Sequence, residues 1–157
     1  MANWESVSRL VVAALQGNAT LTSYSKITLV DSVADYLKSA AGQAVNEAYL
    51  VLVSPPTDAE SYRHENLING VKRKFFYFEL AIVVKNEPSG VKRLYGERGK
   101  GIYEVQDDVQ TVLEHNNFSG QVDNKAGSNF EGGWSKAGLD NRAITAYTTT
   151  YTVVKTE

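Results

Sequence analysis

Cysteine is absent from this chain of 157 residues, which also contains only two histidines and three prolines. Without cysteine it can form no disulfide, no thiolate zinc site and no cysteine nucleophile, and this composition fits synthesis in a reducing cytoplasm. A chain of this length buries roughly 70% of its unfolded surface in one core, so it needs no such covalent staple. We expect a single domain over residues 1–157.

From its first residues and its apolar runs we expect neither a secretory signal nor a membrane-spanning segment. Residues 1–5 (Met-Ala-Asn-Trp-Glu) have neither the basic nor the apolar region of a secretory signal. No apolar run approaches the ~20 residues of a membrane-spanning helix. The most apolar stretch, Phe75–Val84, is interrupted by Glu79 and is rich in the aromatic and β-branched residues of strands. We therefore expect no membrane partner.

Motifs that carry catalysis are scarce. Residues 96–101 (Gly-Glu-Arg-Gly-Lys-Gly) precede a predicted helix but lack the glycine spacing and the Ser or Thr of a phosphate-binding loop. His64-Glu65 has no second histidine in a zinc-protease spacing, and His115 is interpreted as a helix cap. Asp107 and Asp108 are adjacent, which predicts a solvated helix surface. We predict no catalytic residue, no metal site, no cofactor and no enzymatic activity.

Apolar periodicity predicts the main helices and strands. Asn3 is a good N-cap for a helix over 4–16, and a second apolar stripe predicts a helix over 102–115. Asp31 is predicted to cap a short helix that ends at Gly42, and Asn69-Gly70 predicts a type I′ turn. Strands are predicted over 48–53, 71–85 and 142–155, with a loop over 86–100 and short strands hidden within 116–141.

The long strand over 71–85 has two different faces. Its even positions are wholly apolar and its odd positions are mixed, as in a sheet packed on one face and partly covered on the other. The element order predicts an α+β fold, an antiparallel or mixed β-sheet with two or three helices packed mainly on one face. At about 3.3 Å per residue the strand would span roughly 50 Å, so we expect one end to project, protected from aggregation by Lys72-Arg73-Lys74.

Charge is unevenly distributed along the chain. Residues 61–100 carry nine basic and four acidic side chains, a net of +5, whereas the segments before and after carry −3 and −4. This pattern is compatible with chance, with complementary surfaces on neighbouring copies, or with a binding module that uses residues 61–100 to hold nucleic acid or an acidic protein. Nucleic acid is disfavoured because the whole chain is mildly acidic.

The order of these elements resembles the phage tail-terminator family. The resemblance is carried by the amphipathic helix Trp4–Gln16, the strand Tyr49–Val53 running into Ser54-Pro55-Pro56, and the long strand Lys74–Lys85. A Gly-containing loop then leads into the helical stretch Gly101–Leu113, of the form Tyr-x-Val-x-x-x-Val-x-x-x-Leu, and the strand Ala143–Val154 completes the pattern. The resemblance covers most of the chain.

The resemblance implies a virion structural protein that is assembled in the host cytoplasm and forms a ring, a homohexamer, on the last ring of tail-tube subunits. The ring would stop tube growth and join the tail to a neck or head-completion protein, and in a contractile tail it would also touch the sheath. A closing ring needs two different patches that meet head to tail. The candidate contact regions are the projecting end of the long hairpin, the loop over 86–100 and the loop over 116–141. The predicted interface residues within them are Arg73, Arg93, Tyr95, Arg98, Lys100 and Trp134, since arginine and aromatic residues dominate such contacts.

Overall fold

The computed structural model describes residues 3–38, 49–57, 59–85, 90–96, 99–114, 116–123, 130–137 and 144–157. The predictions for Gly42, Arg98 and His115 lie outside these ranges. The elements, in chain order, are α1 (Trp4–Gln16), α2 (Ala19–Thr22), β1 (Lys26–Leu29), α3 (Val33–Lys38), β2 (Tyr49–Ser54), β3 (Tyr62–Asn66), β4 (Lys72–Lys85), α4 (Gly90–Tyr95), α5 (Ile102–Leu113), β5 (Phe130–Lys136) and β6 (Ile144–Thr156).

The six strands form one mixed sheet in the order β1-β2-β4-β6-β5, with β3 also paired to β4. Only the β1–β2 pair is parallel, and the other pairs are antiparallel. β2 and β3 follow one another along the same edge of β4. Pro55 and Pro56 lie between these two strands and have no backbone donor, so pairing with β4 is interrupted there. The α+β class with a mixed sheet is confirmed.

Alternation along β4 divides its side chains between two cores. The even positions from Phe76 to Val84 are fully buried in the larger core with α1, α2 and α5. On the other face Ala81 and Val83 pack in a smaller core with α3, whereas Phe75 and Tyr77 are only half-buried. Helices therefore cover one face almost completely and the other in part, as the two-faced pattern predicts.

The boundaries of α1 confirm the prediction of a helix over 4–16. The Asn3 side chain accepts a hydrogen bond from the Ser6 backbone N–H at 2.8 Å, and the Ser6 hydroxyl accepts one from the Asn3 N–H at 3.0 Å. This reciprocal cap satisfies two N–H groups that the helix leaves unpaired. Val7, Val11 and Leu15 then lie on one buried face, and each contributes roughly 1.5–3 kcal/mol through its removal from water.

The prediction of a loop over residues 86–100 is wrong for Gly90–Tyr95, which form α4. α2, β1 and β3 were also not predicted. They are four or five residues long, too short for apolar periodicity to be read. The short helix α3 is confirmed, but its capping residue is Ser32 and not Asp31. The Ser32 hydroxyl accepts a hydrogen bond from the Asp35 N–H at 3.3 Å.

The predicted turn at Asn69-Gly70 is confirmed, and it joins β3 to β4. Asn69 and Gly70 have φ of 65° and 75°, and a type I′ turn requires positive φ at both central residues. However, β4 does not project as a free strand. It is paired with β6 almost throughout, and Lys72 exchanges two backbone hydrogen bonds with Glu157. Only the turn, residues 67–71, extends past the last paired residues.

Lys74 also departs from its expected role as an exposed gatekeeper. Lys74 is an even position of β4, on the face of the larger core, and its side chain is buried. Its ammonium group lies 2.7 Å from a carboxylate oxygen of Glu157. Lys72 and Arg73 remain exposed at this end of the sheet. Protection of the hairpin end by charge therefore depends on two side chains and not on three.

Candidate interaction surfaces

The described residues offer neither a cluster of metal ligands nor a membrane-spanning helix. No group of three or more His, Asp and Glu side chains is arranged there to hold a metal ion. No helix among these ranges is long and apolar enough to cross a membrane. What stands out instead is exposed apolar surface, most of which lies in two places, at the β3–β4 turn and on α4 with the start of α5.

The first surface is the hairpin tip, defined as residues 67–71. Ile68 is 84% exposed, and Val71, which directly precedes β4, is also exposed. Together with Asn66 and Leu67 they line an open depression of about 640 Å³. The turn passes through the left-handed backbone of Asn69 and Gly70, directly after Ile68. The tip is therefore an apolar projection on a fixed turn.

The second surface is the aromatic patch, defined as Val91, Tyr95, Tyr103 and Tyr147. Tyr95 is 66% exposed on α4, and its ring centroid lies 5.4 Å from that of Tyr103. The Tyr103 ring lies 6.5 Å from that of Tyr147 in an edge-on arrangement. Partial burial, the neighbouring Tyr147 and Tyr95 and a hydrogen bond with Tyr147 all raise the pKa of Tyr103.

The two surfaces lie toward opposite ends of the sheet. α4 packs on β6, and Tyr147 near the start of β6 pairs with Ile82 on β4. Val71 immediately precedes β4 at the other end. The eleven residue steps from Val71 to Ile82 along the extended chain separate the surfaces by roughly 35 Å. One copy of the chain cannot bring them together.

The ends also differ in charge. Beside the aromatic patch, the outer side of α5 exposes Glu104 and Asp107, which form no ion pair within the part of the chain that the structure describes. At the hairpin end Lys72 is exposed, and the Arg73 guanidinium is 4.0 Å from the Glu65 carboxylate, a distance and exposure at which a pair contributes little. The aromatic patch therefore borders the acidic side of α5 as well as Lys136, which pairs in register with Tyr147, whereas the hairpin tip borders Lys72 and Arg73, with Glu65 beside them.

A network of hydrogen bonds within the chain engages the Lys100 side chain. It also corrects the prediction that Asp108 lies on a solvated surface. Asp108 Oδ2 accepts hydrogen bonds from the Tyr24 hydroxyl at 2.6 Å and the Lys100 ammonium at 2.7 Å. Burial opposes ionisation, but these bonds and the Lys100 charge outweigh it and lower the pKa of Asp108. The Tyr49 hydroxyl donates to the Lys100 carbonyl at 2.6 Å. The network joins α5 to two distant segments of the chain.

The glycines of residues 96–101 are explained by close packing. A Cβ added to Gly99 would lie 2.5 Å from the Tyr49 hydroxyl, and one added to Gly101 would lie 2.2 Å from the Leu94 carbonyl. Gly96 has a φ of 84° in addition to a close backbone contact, a conformation that favours glycine. Close packing therefore explains why glycine stands at these positions, and no phosphate-binding role is needed.

The six predicted interface residues occupy different environments. Tyr95 and Arg73 are exposed, one in the aromatic patch and one beside the hairpin tip. Arg93 is only 4% exposed and donates from Nε to the Thr145 hydroxyl at 2.6 Å, so it attaches α4 to β6. Lys100 belongs to the Asp108 network, and Arg98 lies outside the described residues. The five described residues therefore do not form one cluster.

Trp134 is half-buried on β5. Its ring lies 6.3 Å from that of Phe130 and packs against the larger core. The indole N–H is buried and has no hydrogen-bond partner among the described residues. Trp134 thus contributes to the core edge and presents only part of its ring to solvent.

Sequence reasoning missed Ile68, Val91 and Tyr103. Signals for them exist: Ile68 is an aliphatic residue directly before a turn pair, and Val91 and Tyr95 have the i, i+4 spacing of a helix face. Tyr103 lies next to Glu104, on the polar side of the stripe that predicts α5.

No protein-family model matches this chain, and comparison with curated proteins finds no match.

Proposed function

We propose that this chain is a structural assembly protein of the tail-terminator kind. It forms a ring at the head-proximal end of a phage tail tube, stops tube polymerisation and joins the tail to the neck or head. One observation carries the proposal: the exposed apolar surface of the described residues is concentrated at two different places, roughly 35 Å apart on one sheet. Such patches mark protein contacts, and two unlike patches support a head-to-tail ring.

The architecture between the surfaces suits this role. β4 and β6 are paired over thirteen positions and are buried against helices, so the distance between the hairpin tip and the aromatic patch is held by hydrogen bonds and packing. A fixed relative orientation of the two patches sets the rotation between successive copies, and that rotation decides whether a ring closes. The partners of the proposed ring are further copies of this chain, the tail-tube protein, a neck or head-completion protein and, in a contractile tail, the sheath. Its location is the virion.

The experiment measures assembly state and tube length. Native mass spectrometry and negative-stain microscopy are applied to the purified chain alone and after mixing with polymerising tube protein. We expect closed rings near six copies, alone or on tube ends, and tubes that stop lengthening when the chain is added. Tube protein without the chain is the control. A chain that stays monomeric and leaves tube length unchanged contradicts the proposal.

The alternative is a binding module that holds nucleic acid or an acidic partner through residues 61–100. Exposed Lys72 and Arg73 favour it. Against it, Lys74 is paired with Glu157, and Arg93 and Lys100 are engaged within the chain, so fewer cations face solvent than the sequence suggests. Retention on a nucleic-acid column that falls steeply with salt concentration would support this alternative.

A further inference from the structure

We propose that the hairpin tip of one copy docks on the aromatic patch of the next copy, with Lys72 and Arg73 facing Glu104 and Asp107. This inference rests on the proposed ring and names the contact that builds it. The two exposed apolar surfaces then cover each other between neighbouring copies of the same chain.

The apolar parts are complementary in kind. Ile68 is a branched aliphatic side chain that is 84% exposed on a fixed turn. The rings of Tyr95 and Tyr103 are inclined by 59° with centroids 5.4 Å apart, so they present an angled aromatic surface. Docking removes all three side chains from water, and little freedom is lost because both the turn and the rings are already ordered by their own contacts.

The charges select the orientation. Lys72 is exposed without an ion pair in the described ranges, and the same is true of Glu104 and Asp107. Tip against tip would place Lys72 and Arg73 of two copies together, and patch against patch would place acidic side chains together. Like charges in contact are unfavourable, and opposite charges steer association. The head-to-tail pairing is the arrangement that joins opposite signs.

The first experiment uses one disabled surface per chain. Ile68→Asp removes the apolar tip, and Tyr95→Asp places a charge in the patch. Both positions are highly exposed, so circular dichroism and melting temperature should match the unmodified chain. We expect each variant alone to associate at least about tenfold more weakly. Leu29→Asp, at an exposed apolar position on β1, is the matched control and should still form rings.

Mixing the two variants tests the head-to-tail geometry. The Tyr95→Asp chain keeps its tip and the Ile68→Asp chain keeps its patch, so an equimolar mixture should form a one-to-one heterodimer and nothing larger. If the mixture stays monomeric, or if either variant still forms rings like those of the unmodified chain, the docking inference is overturned while the ring proposal stands. If the unmodified chain never associates, alone or on tubes, both fail.

Charge exchange and cross-linking supply a second readout. Lys72→Glu with Arg73→Glu, and separately Glu104→Lys with Asp107→Lys, should each abolish rings, and all four changes in one chain should restore them. Because the chain has no cysteine, a chain carrying Ile68→Cys and Tyr95→Cys should form disulfide ladders under oxidation. Absence of both the restoration and the ladder, in a chain that still forms rings, contradicts the contact.

Discussion

Replacing Asp108 by Asn tests whether the internal network stabilises the fold. Hydrogen bonds to a charged group contribute roughly 1.5–3 kcal/mol each, and Asp108 accepts two, from Tyr24 and Lys100. The Asp108 and Lys100 side chains are 24% and 33% exposed, so solvent screening lowers that figure, and Asn still accepts one bond. We expect Asp108→Asn to reduce the free energy of unfolding by about 1–2 kcal/mol at pH 7.

The pH dependence has a defined sign. Because the folded-state pKa of Asp108 is lowered, its stabilisation is present above the unfolded-state value of about 3.9 and is lost as the pH falls through the folded-state pKa. The difference in unfolding free energy between the unmodified chain and Asp108→Asn should therefore be constant near neutrality and narrow below about pH 4.

Urea unfolding followed by tryptophan fluorescence at pH 7 and pH 3 measures both effects. Asp107→Asn is the matched control, since this neighbour is exposed and its carboxylate accepts no hydrogen bond from another described residue. Its effect should stay within about 0.5 kcal/mol. Equal stability of the two variants at pH 7, or a difference that persists unchanged at pH 3, would refute the reasoning.

Two further predictions concern packing. Gly99→Ala should destabilise the fold by about 1–3 kcal/mol because its Cβ would lie 2.5 Å from the Tyr49 hydroxyl. In a Tyr49→Phe background the destabilisation should be smaller, since the next ring atom is 3.6 Å away. Additive effects of the two substitutions in a double-mutant cycle would argue against the clash. Phe78→Ala should lower the free energy of unfolding in urea by about 3–5 kcal/mol because Phe78 is fully buried between Trp4 and Tyr151. Phe75 is only half-buried, so Phe75→Ala should lower it less. Equal losses in the two variants would contradict the two-faced sheet.

The elements that sequence reasoning found are those with many apolar residues in one phase. α1 repeats such residues over thirteen positions and β4 over fourteen, so a local pattern decides their type. β3 and α4 offer no such pattern. β3 is held mainly by pairing with β4, and α4 by packing on β6 and α5, and contacts between distant segments leave no local period to read.

The same limit applies to the candidate surfaces. Arg93, Tyr95 and Lys100 were predicted as interface residues from their side-chain type and from their place in the predicted loop over 86–100. Type does not decide exposure. Arg93 is buried against β6 and Lys100 is held by Asp108, whereas Tyr95 and the unpredicted Ile68 face solvent.

The sequence by itself determined the class of the fold, the two faces of the long strand and the turn at Asn69. These depend on backbone geometry, which repeats over neighbouring residues. Only the tertiary structure decided which polar side chains turn inward and which apolar ones remain outside. The bond between Tyr24 and Asp108 joins residues 84 positions apart, and whether a side chain is covered depends on such distant segments meeting.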